Sequence, residues 1–211
     1  MIVGTIIAGK LNVEESLALA SVFVASVRDA MPHAGIVHIT DAQFPEIPGV
    51  DHVFREPWVD GGWIEYRFTA LKAFTQLFGQ HLFLDYDTVV RKDVSYVMDE
   101  DFEVAMCETP DRRDRVLNGG VIFCKTPKLY ENGRAIYVQT RSLQDGWEGG
   151  QTAQDIAARA LRCKYLDFDK YNFTPDCIGQ VPDSAEIVHY RGRRKRFMAK
   201  DNTHLEAACL Q

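Results

Sequence analysis

The sequence predicts a single α/β domain in which helices flank a mixed, mostly parallel central sheet. Short apolar segments that suit buried strands alternate with helices that carry one apolar face, an order typical of parallel strands joined by helical crossovers. The chain has 211 residues, of which 46% are apolar, which is enough for one sizeable core and too little for a second full domain. We therefore expect one domain over residues 1–211, with 196–211 as a C-terminal tail.

The alternation begins with an apolar strand and an amphipathic helix. In this helix apolar residues recur at steps of three and four as far as Met31, and Pro32 ends it. A second helix stops at Gly79 and leads directly into a strand. The predicted strands are 2–8, 36–39, 50–54, 81–84, 102–107, 120–124, 164–168 and 186–190. The predicted helices are 13–31, 64–78, 127–139 and 150–162, with binding loops predicted at 109–116 and 141–150.

The charge balance argues against nucleic acid as the main partner. The formal net charge is −6, from 24 basic and 30 acidic residues, whereas nucleic-acid-binding proteins usually carry a basic surplus. The basic run 191–196 suits either a local anion site or a solvated tail. No apolar run approaches the roughly 20 residues that span a bilayer, so no transmembrane segment is expected.

The cysteines indicate a reducing environment. Cys107, Cys124, Cys163, Cys177 and Cys209 lack the short paired spacing of a structural zinc site, so free thiols are the simplest interpretation. The apolar N-terminus has no basic region before it and is interpreted as a strand rather than a leader. An odd number of cysteines in such a chain favours a cytoplasmic protein.

Asp85 and Asp87 follow a predicted strand, which is where ligands bind in open α/β sheets. Side chains two residues apart in an extended segment point the same way, so both carboxylates can reach one cation and its bound phosphate oxygens. Magnesium and manganese prefer oxygen ligands and can neutralise a departing diphosphate. Two other interpretations stay open: a turn cap, and the nucleophile motif of a haloacid dehalogenase-type phosphatase. That motif normally opens its fold and carries a glycine where Thr88 stands here.

Two later segments carry further candidate groups. Asn118 and Gly119 precede a predicted strand, where the amide can bond sugar hydroxyls and the glycine lets a ligand approach the backbone. The same residues also suit an ordinary hairpin turn. His189 ends a predicted strand and Lys195 follows six residues later, so an imidazole can complete the metal site and an ammonium can hold a phosphate. Taken alone, a strand-end histidine is more often not a ligand.

The order of these segments resembles that of a known family. The sequence reads LFLDYDTVV at 82–90, LNGGVIF at 117–123, QTAQDI at 151–156 and HYRGRRK at 189–195. This order is similar to that of the glycogenin and bacterial lipopolysaccharide galactosyltransferase family, which are retaining glycosyltransferases of the GT-A fold. The resemblance implies a GT-A (Rossmann-like) domain that transfers a sugar from a nucleotide diphosphate sugar, here expected to be a UDP-sugar, to an acceptor hydroxyl.

The resemblance also implies roles for single residues. Asp85, Asp87 and His189 would bind Mn²⁺ or Mg²⁺. The residues expected to bind or border the donor are Ala8, Gly9, Lys10, Leu11, Asn12, Arg67 or Lys72, Tyr86, Asn118, Gly119, Gly192 and Lys195. Catalytic roles are expected for Gln151 or Asp155 near the transferred sugar and for Lys195, helped by Arg193 or Arg194, at the leaving diphosphate. The implied partners are a nucleotide-sugar donor and a hydroxyl-bearing acceptor, which is a glycan, a protein or a small molecule.

The sequence departs from the family at two places. The family has a glutamine between two acids, whereas Gln151 has no acidic neighbour and Gln154 keeps only Asp155, so the register of this segment stays open. The usual proline and tryptophan after the last lysine are replaced by Arg196 and Phe197. Two alternatives on the same fold therefore remain: a nucleotidyltransferase, whose glycine-rich opening is reduced here, and a sugar-nucleotide binder without catalysis.

Overall fold

The computed structural model describes residues 1–9, 12–110, 116–143 and 146–206. The strands in these ranges are β1 (Ile2–Ile6), β2 (Gly35–Thr40), β3 (His52–Arg55), β4 (His81–Leu84), β5 (Thr88–Val90), β6 (Val104–Glu108), β7 (Leu117–Cys124), β8 (Cys163–Leu166) and β9 (Ile187–His189). The α-helices there are α1 (Val13–Ala30), α2 (Gly62–Phe78), α3 (Lys128–Thr140), α4 (Gly146–Arg159), α5 (Phe168–Tyr171), α6 (Lys195–Asp201) and α7 (Thr203–Glu206). Among the predicted features, Lys10, Leu11, Cys209 and the loop residues 111–115 and 144–145 lie outside the described residues.

A mostly parallel sheet forms the centre of the fold, which confirms the predicted fold class. Seven of the described strands are hydrogen-bonded in the order β3-β2-β1-β4-β7-β6-β8. β1 pairs in parallel with β2 and β4, β2 with β3, and β6 with β8, whereas β7 is antiparallel to β4 and β6. The carboxyl ends of β1 and β4 therefore lie at the same edge as the amino end of β7. At this edge the backbone N–H of Asp85 donates to the carbonyl of Gly120 at 2.9 Å.

Helices cover both faces of the sheet. Alternate residues of β1 point to opposite faces, so Val3 packs in the same core as Phe23 of α1, and Ile6 packs with Phe68 of α2. α6 and α7 pack on the α1 side, whereas α3 and α4 pack beside α2. Gly79, with φ of 74°, ends α2 as predicted. None of the helices in the described part of the chain combines the length and hydropathy that crossing a bilayer requires.

The C-terminal segment is helical rather than a tail. Residues 195–206 form α6 and α7, which contact α1. Met198 and Leu205 are 0% and 5% exposed, so this segment contributes to the core. The expectation of a tail is therefore wrong for residues 196–206, because its apolar side chains have a helix to pack against.

Three further local expectations are corrected. β7 begins at Leu117, so Asn118 and Gly119 lie within a buried strand and not in a hairpin turn. α4 begins at Gly146, which makes the last part of the predicted 141–150 loop helical. β5 was not among the predicted strands, and it forms a separate two-stranded sheet with β9.

Candidate functional site

An open cavity of about 380 Å³ lies at the edge where β1 and β4 end. This is the edge at which open α/β sheets bind their ligands. The described residues that line it are Ile6, Trp63, Arg67, Asp85, Tyr86, Asp87, Thr109, Asn118, Trp147, Gln151, His189, Arg191, Gly192 and Lys195. Most of the residues that the sequence singled out thus meet in one place, although they come from distant segments.

Asp85, Asp87 and His189 converge in this cavity. One ligand atom from each side chain lies within 4.8 Å of the other two. The Nε2 atom of His189 is 3.7 Å from Asp85 Oδ2 and 3.2 Å from Asp87 Oδ1. Two carboxylates and one imidazole form a donor set that suits manganese and also accepts magnesium. We refer to these three residues as the metal cluster.

The small β5–β9 sheet aligns the metal cluster. Thr88 pairs with His189 in an antiparallel register, which brings Asp87 beside the imidazole. Asp85 is held separately, because its N–H donates to the carbonyl of Gly120 and its carbonyl accepts from Thr88 Oγ1 at 2.8 Å. Hydrogen bonds to the main chain of these residues thus help to position the three ligands.

The imidazole of His189 is oriented by Asn172, a residue that the sequence did not single out. Nδ1 of His189 lies 2.9 Å from Asn172 Oδ1, and because an amide oxygen can only accept, Nδ1 is the donor. Nε2 is then the ring nitrogen that faces the two carboxylates, where a metal ion bound between them would meet it. Asn172 is fully buried, and the next residue, Phe173, accepts a backbone hydrogen bond from His189 N at 2.8 Å.

Gly120 leaves the space that the metal cluster occupies. A Cβ atom at this position would lie 2.7 Å from His189 Nδ1 and 2.9 Å from Asp85 Oδ2, which is closer than real Cβ contacts allow. Any other residue would displace the imidazole or the carboxylate. The second glycine of the Asn-Gly-Gly segment is therefore a requirement of the site.

Two cationic side chains approach the carboxylates from either side. Lys195 Nζ lies 3.2 Å from Asp87 Oδ2 and 3.0 Å from the hydroxyl of Tyr86. Arg67 Nη2 lies 3.9 Å from Asp85 Oδ1. Positive charge is therefore already concentrated where an anionic ligand would meet the metal cluster.

Burial and these charges act in opposite directions on the two carboxyl groups. Burial raises the pKa of Asp85 above its ordinary value, against the attraction of Arg67 and His189. Burial also acts to raise the pKa of Asp87, but the facing His189 and Lys195 outweigh it and hold that pKa below its ordinary value. Burial acts to lower the pKa of Lys195, and Asp87 outweighs it and raises that pKa. A dication between the carboxylates would favour the charged form of both.

Arg67 is a rigid part of the cavity. It is 5% exposed, and its Nη2 donates to the carbonyl of Gly119 at 2.6 Å while its Nη1 donates to Gln154 Oε1 at 3.0 Å. Lys72, the alternative basic residue on α2, does not line the cavity and pairs with Glu131 of α3 at 3.0 Å. Of the two basic residues predicted on α2, Arg67 therefore lines the cavity and Lys72 does not.

Of the residues in the glutamine segment, α4 turns Gln151 towards the cavity. Gln151 lines the cavity, and its Nε2 is buried without a hydrogen-bond partner among the described residues. Asp155 lies outside the lining, where it accepts from Leu117 N at 3.0 Å and pairs with Arg159 at 2.9 Å. The structure thus places Asp155 away from the cavity lining, where its carboxylate connects β7 to α4.

The end of β1 contributes Ile6 to the lining rather than the residues that were predicted there. Ala8 is buried, and Gly9, with φ of 79°, donates its N–H to Asp41 Oδ2 at 3.0 Å. Asn12 is exposed and caps α1 through its side-chain oxygen. Within the described part of this segment, the predicted nucleoside contacts are therefore near the site without lining it.

The turn after β9 separates the basic residues of the run 191–196. Gly192, with φ of 59°, and Arg191 line the cavity together with Lys195. Arg194 lies outside the lining and pairs with Asp176. Arg193 is exposed and also lies outside it. Of this run, Lys195 is the residue that fits the predicted role at a diphosphate.

Sequence analysis singled out none of five lining residues, which are Ile6, Trp63, Thr109, Trp147 and Arg191. Thr109 and Trp147 do lie in the predicted binding loops, and Arg191 lies in the basic run. Trp63 and Trp147 lie in the first turns of α2 and α4. Each precedes a predicted site residue, Arg67 or Gln151, by four positions, which places it on the same helix face. That spacing was a usable signal for both tryptophans.

Several solved structures that share this architecture are glycosyltransferases. The chain is similar to the apo form of the glycosyltransferase GlyE of Streptococcus pneumoniae TIGR4, with a TM-score of 0.69 and 14% identity. The match covers 99% of the present chain and 62% of the GlyE chain. It is similar to the galactosyltransferase LgtC, solved with donor and acceptor sugar analogues, with a TM-score of 0.65 and 13% identity over 99% of this chain and 96% of that one. A glycosyltransferase involved in glycosylation of the major capsid of PBCV-1 matches with a TM-score of 0.61 and 15% identity over 98% of this chain and 100% of that one. No protein-family model and no curated protein matches the sequence. The chain therefore has the GT-A fold of these glycosyltransferases.

Proposed function

We propose that the protein is a metal-dependent glycosyltransferase that moves a sugar from a nucleotide diphosphate sugar, in the first instance a UDP-sugar, to an acceptor hydroxyl. The observation that carries this proposal is the metal cluster of Asp85, Asp87 and His189, which shares its cavity with Lys195 and Arg67. Carboxylates that bind a cation next to fixed positive side chains suit a diphosphate ligand. The glycosyltransferase fold supports the same class of reaction.

Mn²⁺ or Mg²⁺ would be held by Asp85, Asp87 and Nε2 of His189. When bound, the ion supplies positive charge to the donor's two phosphates and to the nucleotide diphosphate as it leaves. Asn172 and Gly120 support this donor set, since one fixes the imidazole and the other leaves room for it.

Lys195 is the residue that we assign to the leaving diphosphate. Its ammonium is fixed between Asp87 and the hydroxyl of Tyr86, so it is oriented before the donor binds. Gly192 lies in open space, with no atom within 4 Å of a Cβ built at that position, and its backbone is therefore accessible to a phosphate. Stabilisation of charge on the leaving group is the main catalytic contribution of these residues.

The transferred sugar is placed between Asn118, Arg67 and Gln151. Asn118 and Gln151 supply amide groups, and Arg67 supplies a fixed guanidinium beside Asp85. In the reaction, the acceptor oxygen forms a bond to the anomeric carbon and the bond from that carbon to the phosphate oxygen breaks. The electron pair of the broken bond goes to the nucleotide diphosphate, and the acceptor proton passes to a phosphate oxygen or to water. We propose retention of configuration on the resemblance to retaining enzymes.

Incubation with Mn²⁺ and a panel of nucleotide sugars, with detection of released nucleotide diphosphate, tests the proposal. We expect release from at least one UDP-sugar, and its loss in chelator. Arg67→Ala should reduce release strongly, whereas Lys72→Ala, on the same helix but outside the cavity, should not. If the protein binds UDP in a metal-dependent way but releases nucleotide diphosphate from none of the nucleotide sugars, the proposed catalysis is contradicted. The protein would then be a sugar-nucleotide binder.

A further inference from the structure

Each carboxylate of the metal cluster has one oxygen turned to the imidazole and the other turned to a basic side chain. Asp85 Oδ2 and Asp87 Oδ1 lie 3.7 and 3.2 Å from His189 Nε2. Asp85 Oδ1 faces Arg67 Nη2 at 3.9 Å. Asp87 Oδ2 faces Lys195 Nζ at 3.2 Å. The two negative charges are therefore already matched by two positive charges of the protein.

This balance of charge is unfavourable for a metal ion that arrives alone. A dication between the carboxylates would add two positive charges beside the two basic side chains, and like charges repel more strongly where burial lowers the local dielectric constant. A nucleotide diphosphate carries the negative charge that would offset this repulsion. The charges around the cluster therefore favour an ion and a diphosphate that bind together over an ion that binds by itself.

Arg67 is the fixed member of this pair of basic side chains. Its Nη2 donates to the carbonyl of Gly119 at 2.6 Å, and its Nη1 donates to Gln154 Oε1 at 3.0 Å. Because the guanidinium is 5% exposed and held at both nitrogens, turning it would break buried hydrogen bonds, which is unfavourable. Its charge therefore stays beside Asp85 when a ligand binds.

Lys195 has an anchored backbone and a side chain that can change partners. It begins α6, and Met198 of the same helix is fully buried in the core. Its Nζ lies 3.0 Å from the hydroxyl of Tyr86 and 4.5 Å from the centroid of that ring, so Tyr86 offers a contact that does not depend on Asp87. The side chain is 28% exposed, and its ammonium has three N–H donors on a flexible stem. The ammonium can therefore leave Asp87 for a phosphate oxygen while it stays beside Tyr86.

Asp87 is positioned by contacts that do not involve Lys195. Its carbonyl accepts from Tyr190 N at 2.9 Å, and the next residue, Thr88, pairs with His189 in the β5–β9 sheet. Its side chain is 7% exposed and has the imidazole of His189 at its other oxygen. Removal of the ammonium should therefore change the charge around Asp87 more than its orientation.

We propose that Lys195 couples the binding of the metal ion to the binding of the nucleotide diphosphate. Beside Asp87, its ammonium opposes an ion that arrives alone. When an ion and a diphosphate bind together, the ammonium shifts to the phosphate oxygens and leaves the carboxylate to the ion. This inference rests on the proposed function and deepens it, because it makes the complex of metal and diphosphate, rather than the bare ion, the species that the site selects.

Two affinities that should change in opposite directions test the proposal. The EPR signal of free Mn²⁺ measures binding of the ion without nucleotide, and calorimetry measures binding of UDP at saturating Mn²⁺. In Lys195→Met, Mn²⁺ alone should bind at least about threefold more tightly than it binds to the parent, because a repelling charge is gone. UDP with Mn²⁺ should bind at least about tenfold more weakly, because the diphosphate loses a cationic partner.

Control variants separate the charge of Lys195 from its place in the structure. Lys195→Arg keeps the positive charge, so its affinity for Mn²⁺ alone should stay within about twofold of the parent's. Lys200→Met removes an exposed lysine of the same helix that does not line the cavity, and it should change neither affinity. Thermal melting in chelator should show that Lys195→Met folds. Lys195→Gln, which also lacks the charge, takes its place if it does not.

The results also distinguish this inference from the proposed function. If Lys195→Met binds Mn²⁺ alone more weakly than the parent or equally well, the lysine does not oppose the ion and the inference is overturned. An unchanged affinity for UDP would overturn it as well, because the diphosphate would then not take up the ammonium. In both cases a parent that binds UDP more tightly with Mn²⁺ still supports the proposed function. A parent that binds UDP equally well with and without Mn²⁺ would contradict both.

Discussion

The metal cluster shares its cavity with two lining tryptophans, Trp63 and Trp147, which we call the tryptophan rim, but the two regions are built in different ways. Asp87 and His189 are 5% and 3% exposed, and the β5–β9 backbone ladder and Asn172 fix the imidazole. At the rim, Trp147 is nearly half exposed and stands in the first turn of its helix. A cation requires fixed ligands, whereas a stacking surface needs accessible area. We therefore expect substitutions at the cluster to affect metal-dependent donor chemistry more strongly than substitutions at the rim.

Among substitutions of the residues around Asp85 and Asp87, His189→Ala should have the largest effect on the Mn²⁺ dependence of donor hydrolysis. Losing one of three protein ligands should raise the Mn²⁺ concentration for half-maximal donor hydrolysis by more than about tenfold, and excess Mn²⁺ should restore part of the rate by mass action. In chelator the free energy of unfolding should fall by about 1–3 kcal/mol, because the buried Asn172 Oδ1 loses its donor, and the variant should still unfold cooperatively. If the variant melts much earlier in chelator and keeps the parent's dependence on Mn²⁺, His189 is structural and the cluster is wrongly assigned.

Asn172→Ala should weaken Mn²⁺ binding less than His189→Ala does, by about tenfold, because the imidazole remains but loses its orientation. Asn172→Asp retains an oxygen that can accept from Nδ1, so it should restore most of the affinity. The measurement is the Mn²⁺ dependence of donor hydrolysis at fixed pH. Equal behaviour of the alanine and aspartate variants would show that Asn172 only fills space.

Two buried histidines outside the cavity, His38 and His81, should make the protein less stable in acid. Burial lowers the pKa of His38 and His81 from 6.5 to about 4, so both imidazoles are neutral in the folded protein at pH 7. Between pH 6.5 and about 4 the unfolded chain binds more protons than the folded one, so the free energy of unfolding decreases as pH falls through this window and is fully retained above it. At pH 5 the loss should be about 2 kcal/mol for each histidine.

Urea unfolding in chelator at pH 7 and pH 5 measures this loss. A His38→Gln, His81→Gln double variant should show a smaller pH dependence than the parent, and the exposed His33 gives a control substitution that should not. Identical free energies of unfolding at the two pH values would contradict the conclusion that His38 and His81 are buried and neutral. The measurement also shows how much of any acid inactivation belongs to the scaffold rather than to the metal cluster.

The smallest effects are expected at the cysteines. Cys107, Cys124, Cys163 and Cys177 are free thiols, and burial raises the pKa of Cys124 and Cys163 to about 11, so these thiols are poor nucleophiles at neutral pH. Thiol counting under denaturing conditions should find five, and the exposed Cys177 should be replaceable by serine without loss of donor hydrolysis. Three or fewer thiols without prior oxidation would contradict our proposal of a reducing, cytoplasmic setting.

The regular elements of the fold could be predicted because their signals are local. The apolar spacing of α1 ends before Pro32, and Gly79 ends α2. Neighbouring residues in the sequence therefore indicate where each helix ends. β5 could not be predicted in the same way. It is only three residues long, and its partner strand ends at His189, about 100 residues later, so the pairing that brings the metal ligands together is a tertiary property.

The same limit applies inside the site. The sequence indicated the residue types of the metal cluster and left Gln151 and Asp155 as alternatives near the sugar. The choice depends on which face of α4 meets the cavity, and that face is set by the approach of Gly150 to Ile64. No sequence motif marks Asn172, because its hydrogen bond with His189 forms only when β9 packs beside it.

Calorimetric titration of UDP, with Mn²⁺ and with chelator, tests most directly the claim that the metal cluster binds a nucleotide diphosphate. The parent should bind UDP at least about tenfold more tightly with Mn²⁺, because the phosphates gain the charge of the ion. Asp87→Asn, which keeps the side-chain shape but removes one ligand charge, should abolish most of that difference while melting like the parent in chelator. Equal affinity of the parent for UDP with and without metal would contradict the account.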